Sequence, residues 1–442
     1  MIKNITIKNF KSFKKAVLPL SPLTLLIGAN ASGKSNAIEA LQLLSWLASG
    51  RRLGDVLFAI REQELSIRGT FNDFTSEGQD ITLGCELYAL PSDRAGFLSF
   101  RTTLRIGGEG LRIVAEVLDC PSYSPHIPLY EVVEPASPYG NEIQVAYNNF
   151  ARGGKKPRLS CIDQQAVFTQ IATPARFAAN HKRSQRLIPP AASRLRQSLE
   201  SILFLDPNPR RMRGYSFQQE KKLQGDGAAL SSVLYQLVEE DGHKEAVLEF
   251  IRSLPEQDIR DISFLETPRN EVMVQLHETF GGKQVPREAA LLSDGTLRVL
   301  AVAAALLSVP EGSMVVIEEI DNGVHPSRAE LLLSNIQRVA RERGLRILLT
   351  THNPALLDAI PLEAVPDTVA CYRDPDLGDS RLIRLEDLES YPELVAQGPV
   401  GRLVTKGILD RFLKSPDKRN GAVKVEQGLA WLSDFQRRAQ AS

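Results

Sequence analysis

An α/β fold is predicted for this chain, built on a mixed sheet with helix-covered parallel strands, an antiparallel β lobe and a helical insertion. Three observations predict it. The chain opens as strand, strand, glycine-containing loop and helix; residues 66–148 run in β-like segments; and from residue 293 onward helices and strands alternate.

Taken in order, residues 2–7 largely alternate apolar and polar, as a half-buried strand does. Residues 23–27 form a short apolar run that ends in glycine, which fits a buried strand. Ile38, Leu41, Leu44 and Leu47 stand at helical spacing and predict a helix over 36–47. Segments 81–87, 98–106 and 111–117 are separated by polar, Gly- or Pro-containing stretches, as strands are. Residues 185–254 turn helical and 261–277 return to β. A helix over 296–307, a strand over 314–318, a helix over 327–341 and a strand over 346–351 complete the alternation. The tail from about 385 is mixed and polar, with an amphipathic stretch near 425–435. The expected domains are residues 1–150, an N-terminal lobe with the antiparallel β part; 151–285, a basic, largely helical insertion; 286–385, a C-terminal lobe; and 386–442, a tail.

The chain has 442 residues, with 43% hydrophobic and 24% charged side chains, which excludes disorder and a small disulfide scaffold. Cys85, Cys120, Cys161 and Cys371 stand far apart, so a reducing, cytoplasmic setting is expected. The most apolar helical run, 299–307, is far shorter than the ~20 residues that span a bilayer. The 53 basic and 53 acidic residues cancel, yet residues 151–225 hold 15 Lys/Arg against 4 Asp/Glu, a local excess of +11. An acidic partner and a solvated or self-packed face both account for such an excess.

Gly28-Ala-Asn-Ala-Ser-Gly33-Lys34-Ser35 fits G-x-x-x-x-G-K-[ST] between an apolar strand and a helix. Its glycines allow the backbone to curl so that N–H groups converge, and the helix N-terminus adds partial positive charge. Lys34 is the candidate for the β- and γ-phosphates, and Ser35 for Mg²⁺. Such a loop needs an acid at the end of a neighbouring strand. Residues 314–317 lead into Glu318, a candidate metal organiser, and Glu319, a candidate general base for water. Ser293 and Gly295 precede an apolar helix, where a hydroxyl and exposed N–H groups suit a γ-phosphate; Ser293 also suits an ordinary helix cap. Asp374-Pro-Asp376 is a D-x-D within what reads as a hairpin turn.

Together these motifs resemble ABC-type ATPases of the SMC/RecF/OLD branch, especially its stand-alone members without long coiled coils. The resemblance rests on Ile7-Lys-Asn-Phe10-Lys-Ser-Phe13, on 28–36 with Asn30 and Asn36, and on Leu292-Ser-Asp294-Gly-Thr-Leu-Arg298 as a signature loop. It rests further on Glu318-Glu319-Ile-Asp-Asn322-Gly-Val-His325-Pro326 as Walker B and D-loop, and on Thr350-Thr-His352-Asn-Pro354 as the switch-histidine segment. Residues 223–230 echo the same group more weakly. Ala31 stands where many members have glycine; Asp294 replaces the first glycine of a transporter-type signature, a change similar to what this branch often shows; Glu318 replaces Asp and Ile320 replaces proline. The Q-loop glutamine stays open between Gln144, Gln164 and Gln170.

The resemblance implies a P-loop NTPase that binds and hydrolyses ATP with Mg²⁺, with Lys34, Glu319 and His352 as catalytic groups. It implies a head-to-tail dimer in which the Ser293 loop of one copy meets the phosphate on the other's P-loop. It also implies an effector encoded nearby, a nuclease or toxin in DNA repair or anti-phage defence. Lys155, Lys156, Arg158, Lys182, Arg183, Arg186, Arg194, Arg196, Arg210, Arg211 and Arg213 make nucleic acid a candidate partner of the insertion. A transporter ATPase subunit and a non-hydrolysing nucleotide-sensing scaffold are the competing readings.

Overall fold

The computed structural model describes residues 1–75, 78–88, 97–107, 110–137, 139–252, 258–280, 283–320 and 329–414. Along the chain its strands are β1 (Ile2–Phe10), β2 (Phe13–Pro19), β3 (Leu23–Ile27), β4 (Ile81–Leu87), β5 (Leu98–Gly107), β6 (Gly110–Asp119), β7 (Tyr130–Glu134), β8 (Glu142–Tyr147) and β9 (Arg158–Ile162). They continue as β10 (Leu203–Leu205), β11 (Ser216–Phe217), β12 (Asp258–Glu266), β13 (Glu271–Phe280), β14 (Lys283–Glu288), β15 (Met314–Ile317), β16 (Arg346–Thr350), β17 (Val369–Arg373) and β18 (Ser380–Arg384). Four longer helices are α1 (Lys34–Ala48), α2 (Lys182–Glu200), α3 (Asp294–Ser308) and α4 (Ala329–Glu342).

The chain divides into two compact units. The first comprises 1–20, 30–202 and 373–382. It holds an eight-stranded sheet in the order β2-β1-β4-β5-β6-β7-β8-β9, with every adjacent pair antiparallel. β5 shows why: Leu98, Phe100, Thr102 and Leu104 are buried while Arg101 and Arg105 are exposed, the alternation of a sheet with one covered face. Phe100 packs edge-on against Phe168 at 5.1 Å. Helix α1 is buried nearly all round, including Glu39 and Gln42, so it is an interior helix rather than an amphipathic surface one.

The second unit comprises 21–29, 203–372 and 383–442. Its central strands run β10-β15-β16-β3-β17, all parallel. All four side chains of β15, Met-Val-Val-Ile, are buried, as a strand covered on both faces requires. A second, antiparallel sheet is ordered β11-β13-β12, with β14 on β13. Helix α3 is buried from Gly295 to Leu307 except at Arg298, and α4 buries the stripe Leu332, Leu333, Ile336 and Val339.

Residues 151–285, expected as one largely helical insertion, are divided: 151–202 pack in the first unit and 203–285 in the second. Strand β10 interrupts the expected helical stretch because Leu203, Phe204 and Leu205 pair in parallel with Val315, Val316 and Ile317. The D-loop candidates Asn322, His325 and Pro326, and the amphipathic stretch 425–435, lie outside the described residues. Among the described residues no helix is long and apolar enough to cross a membrane.

Candidate active site

The glycine loop joins the buried end of β3 to α1. Gly28 has φ 149°, Ala31 φ 61° and Gly33 φ 120°, so the curl uses left-handed backbone at three points. Glycine is required at Gly33. A Cβ there would stand 2.5 Å from Ser380 Oγ and 3.1 Å from Ser12 Oγ. Ala31 accepts the left-handed conformation at an alanine's cost, which explains why glycine suits that place.

Within the first unit, side chains brace this loop. Ser380 Oγ donates to the Ser32 carbonyl and stands 2.7 Å from Ser12 Oγ, its second hydrogen-bonding neighbour. Asn36 Nδ2 donates to Ser12 Oγ at 2.7 Å, and Arg373 Nε donates to the Ala31 carbonyl at 3.2 Å. Beneath α1, the buried Glu39 carboxylate pairs with Lys11 and Arg68. Lys34 and Ser35 open α1, partly exposed, and Asn30 is exposed before them.

The two acids sit at the edge of the second unit's parallel sheet. Leu205 pairs with Ile317, Ile317 with Leu349, and Thr350 with Leu26, so β10, β15, β16 and β3 end together. Asp206, Glu318, His352 and Gly28 follow within two residues of those ends, which is where a parallel α/β sheet places its ligands. The Glu318 amide donates to the Leu205 carbonyl at 3.1 Å. The Glu319 amide donates to Thr350 Oγ1 at 3.1 Å, and Glu319 itself lies at φ 48°. His352 Nε2 is 3.3 Å from Glu319 Oε1, and both side chains are about half exposed (51% and 50%), so a solvent molecule has access to either.

One group that motif reading missed, Asp206, feels the charge of this pair's carboxylate. A cleft at the sheet edge is lined by Pro207, Arg298, Ile317, Glu318, Glu319 and Ile320, among others. Burial raises the Asp206 carboxyl above its ordinary range; Arg298 pulls it down and the charge of Glu319 adds to the rise. Asp206 is thus within the field of both the signature helix and the candidate base. Its only sequence signal is a position directly after an apolar triplet.

Ser293 caps α3: its Oγ accepts from the Thr296 amide at 3.1 Å, and Gly295 is buried in the first turn. Cap and phosphate grip remain compatible roles for that hydroxyl. Asp294 is exposed and paired with Arg213 at 2.5 Å.

Several cations of the basic stretch are engaged by the chain itself. Arg158 pairs with Glu134, Arg194 donates to the Tyr88 carbonyl, Arg196 to the Ala48 carbonyl, Arg211 pairs with Asp226 and Arg213 with Asp294. Arg183 stacks over Phe150 at 4.5 Å. Lys155, Lys182 and Arg186 are exposed. The D-x-D is a turn: Asp374 Oδ1 accepts from the amides of Asp376 and Leu377, and the Leu377 bond leads in holding its carboxyl below the ordinary range. Gln144 bonds to Glu142 and Ser160, Gln164 to the Leu111 carbonyl, and Gln170 to Ile162 on both amide atoms.

Residues 1–145 match the family model "AAA ATPase domain", and residues 140–358 match "AAA domain, putative AbiEii toxin, Type IV TA system". Among curated proteins the chain is similar to "DNA replication and repair protein RecF" of Gloeobacter violaceus, 37% identical over 130 residues, which is 28% of this chain and 31% of that one. It is also similar to the protein of that name from Cutibacterium acnes, 29% identical over 96 residues, 21% of this chain and 24% of the relative. These matches span about a third or less of the relatives' length. Among solved structures, an SMC head bound to the C-terminal winged-helix domain of ScpA aligns at TM-score 0.47 and 13% identity, over 86% of this chain and 96% of that one. The SMC head domain from Thermotoga maritima aligns at TM-score 0.39 and 13% identity, over 87% and 98%.

Proposed function

We propose that the chain is an ABC-type ATPase of the SMC/RecF kind, a reading supported by its matches to AAA ATPase domains and its similarity to RecF, and that it hydrolyses ATP to ADP and phosphate between two head-to-tail copies of itself. The observation that carries the reading is the pairing of Glu319 and His352 at 3.3 Å on a sheet edge shared with Gly28. Glu319 would take a proton from the attacking water, and His352 would orient that water and contact the γ-phosphate. Lys34 would lie along the β- and γ-phosphates, with Gly28, Asn30, Gly33, Ser35 and Asn36 forming the cradle. Ser35 and Glu318 would supply the hard oxygen donors that Mg²⁺ takes, and Mg²⁺ when bound would neutralise phosphate charge. Ser293 and Gly295 would grip the γ-phosphate held by the other copy.

ATP would then favour the closed pair and hydrolysis would loosen it. The output would pass to an effector that processes nucleic acid, in repair or anti-phage defence. The name of the RecF relatives supports a nucleic-acid setting. Lys155, Lys182 and Arg186 are the exposed cations proposed to meet it.

The test is ATP turnover by the full chain beside Glu319→Gln, with sedimentation of the variant in ATP. Native turnover that falls at least about a hundredfold in the variant is expected, together with a doubling of its mass. Equal, near-zero rates would remove the enzyme reading, and a monomer throughout would remove the dimer.

A further inference from the structure

Arg213 ends a tightly held segment of the second unit. The Asn208 amide donates to the Asp226 carbonyl at 2.8 Å, Asn208 Oδ1 accepts from the Arg210 amide at 3.1 Å, and Arg211 pairs with Asp226 at 3.1 Å. Pro209 and Met212 are buried. From this footing the Arg213 guanidinium reaches the loop before α3 at three points. Its Nη1 donates to the carbonyls of Ala290 at 3.0 Å and Leu292 at 2.6 Å, and its Nη2 to Asp294 Oδ1 at 2.5 Å. A planar fork that bonds both backbone and carboxylate fixes the orientation of what it holds, not merely its distance.

The loop so held carries Ser293, with Asp294 next to it. A carboxylate in the first turn suits the helix's own N-terminus but repels an incoming phosphate. The Arg213 charge offsets that repulsion at its source.

We propose that Arg213 is a positioning residue whose fork on Leu292 and Asp294 holds the Ser293 loop in its phosphate-receiving shape and screens the Asp294 carboxylate from that phosphate. The proposal deepens the dimer reading and rests on it. It also gives Arg213 a role other than the nucleic-acid contact expected from its place in a basic run.

The experiment compares full-length native chain, Arg213→Ala, and Arg213→Ala combined with Asp294→Gly. Readouts are kcat for ATP, affinity for a fluorescent ADP that binds the P-loop without a γ-phosphate, and amide hydrogen exchange at 292–296 without nucleotide. Arg213→Ala is expected to lower kcat by about tenfold and to speed exchange at 292–296 by a similar factor, leaving ADP affinity unchanged. The double variant is expected to regain at least about threefold in kcat, because the repelling charge is gone. A merely structural arginine would give no such rescue, so its absence overturns the screening role. Unchanged kcat in Arg213→Ala, or ADP affinity falling in step with kcat, overturns the proposal as well. Should the native chain turn over no ATP, the hydrolysis reading fails, and exchange alone decides the clamp: faster exchange supports it and unchanged exchange overturns it.

Discussion

Glu319 stands in left-handed backbone at φ 48° while its carboxylate lies 3.3 Å from His352 Nε2. A non-glycine residue in that region costs roughly 1–2 kcal/mol. The cost is sustained by two bonds to β16: the Glu319 amide donates to Thr350 Oγ1 and the Ile320 amide to the Thr350 carbonyl. Strain of this kind, held at a sheet edge beside a histidine, is what the proposed role of Glu319 as general base would account for.

Glu319→Gly should therefore separate stability from activity. Glycine adopts φ 48° without strain, so the variant is expected to unfold no lower than the native chain, and by up to about 1 kcal/mol higher. Turnover is expected to fall by at least about a hundredfold, since the candidate base is gone. Urea unfolding and ATP turnover on the same preparations read both. A variant less stable by more than about 1 kcal/mol would mean that the Glu319 side chain, not its backbone, dominates this corner.

The parts of this site that were legible in the sequence are those where one short stretch does the whole task. Gly28 to Ser35 must curl and open a helix, and its glycines and lysine are adjacent for that reason. Glu318 and Glu319 end an apolar run, so strand and acid are read together. What stayed hidden joins distant positions. Ser12 meets Ser380 across 368 residues, and Arg213 meets Asp294 across 81. Serine and arginine are common, and neither pairing leaves a local pattern. In the basic stretch the charge excess is plain in the sequence, but the carbonyls of Tyr88 and Ala48 that receive Arg194 and Arg196, and so favour a partly self-packed face, are not. The β-rich lobe was readable because alternation is local, whereas the three-residue β10 is a strand only through its pairing with β15.

Ser380→Ala tests the brace behind the glycine loop. The change removes a hydroxyl that donates to the Ser32 carbonyl and neighbours Ser12 Oγ, and leaves a buried acceptor without that donor. At about 1 kcal/mol for such a loss, ATP affinity should weaken by roughly fivefold and the unfolding midpoint of the first unit should fall by no more than about 2–4 °C. Titration calorimetry with ATP measures the first and thermal melting the second. Native affinity in Ser380→Ala would show that the loop keeps its shape without this hydroxyl.

Glu116 gives the fold a pH dependence whose sign follows from its surroundings. The carboxyl is buried on β6, where Tyr130 Oη donates to it at 2.7 Å and the Phe168 amide at 3.1 Å. Burial pushes its pKa up to about 7 from an ordinary 4.5; the Tyr130 and Phe168 bonds oppose the rise without cancelling it. Between those two values the folded chain keeps a proton that the unfolded chain has released. The folded state binds more protons there, so stability falls as pH rises through this window and levels off above about 7. The full effect is on the order of 3 kcal/mol. Glu116→Gln retains an acceptor for Tyr130 and carries no charge at any pH. Its stability relative to the native chain should therefore rise by that amount between pH 4.5 and pH 8, read by urea unfolding at both. A difference that stays constant across the window would mean that Glu116 titrates alike in the folded and unfolded chain, and that the polar cluster around it stabilises the ion fully.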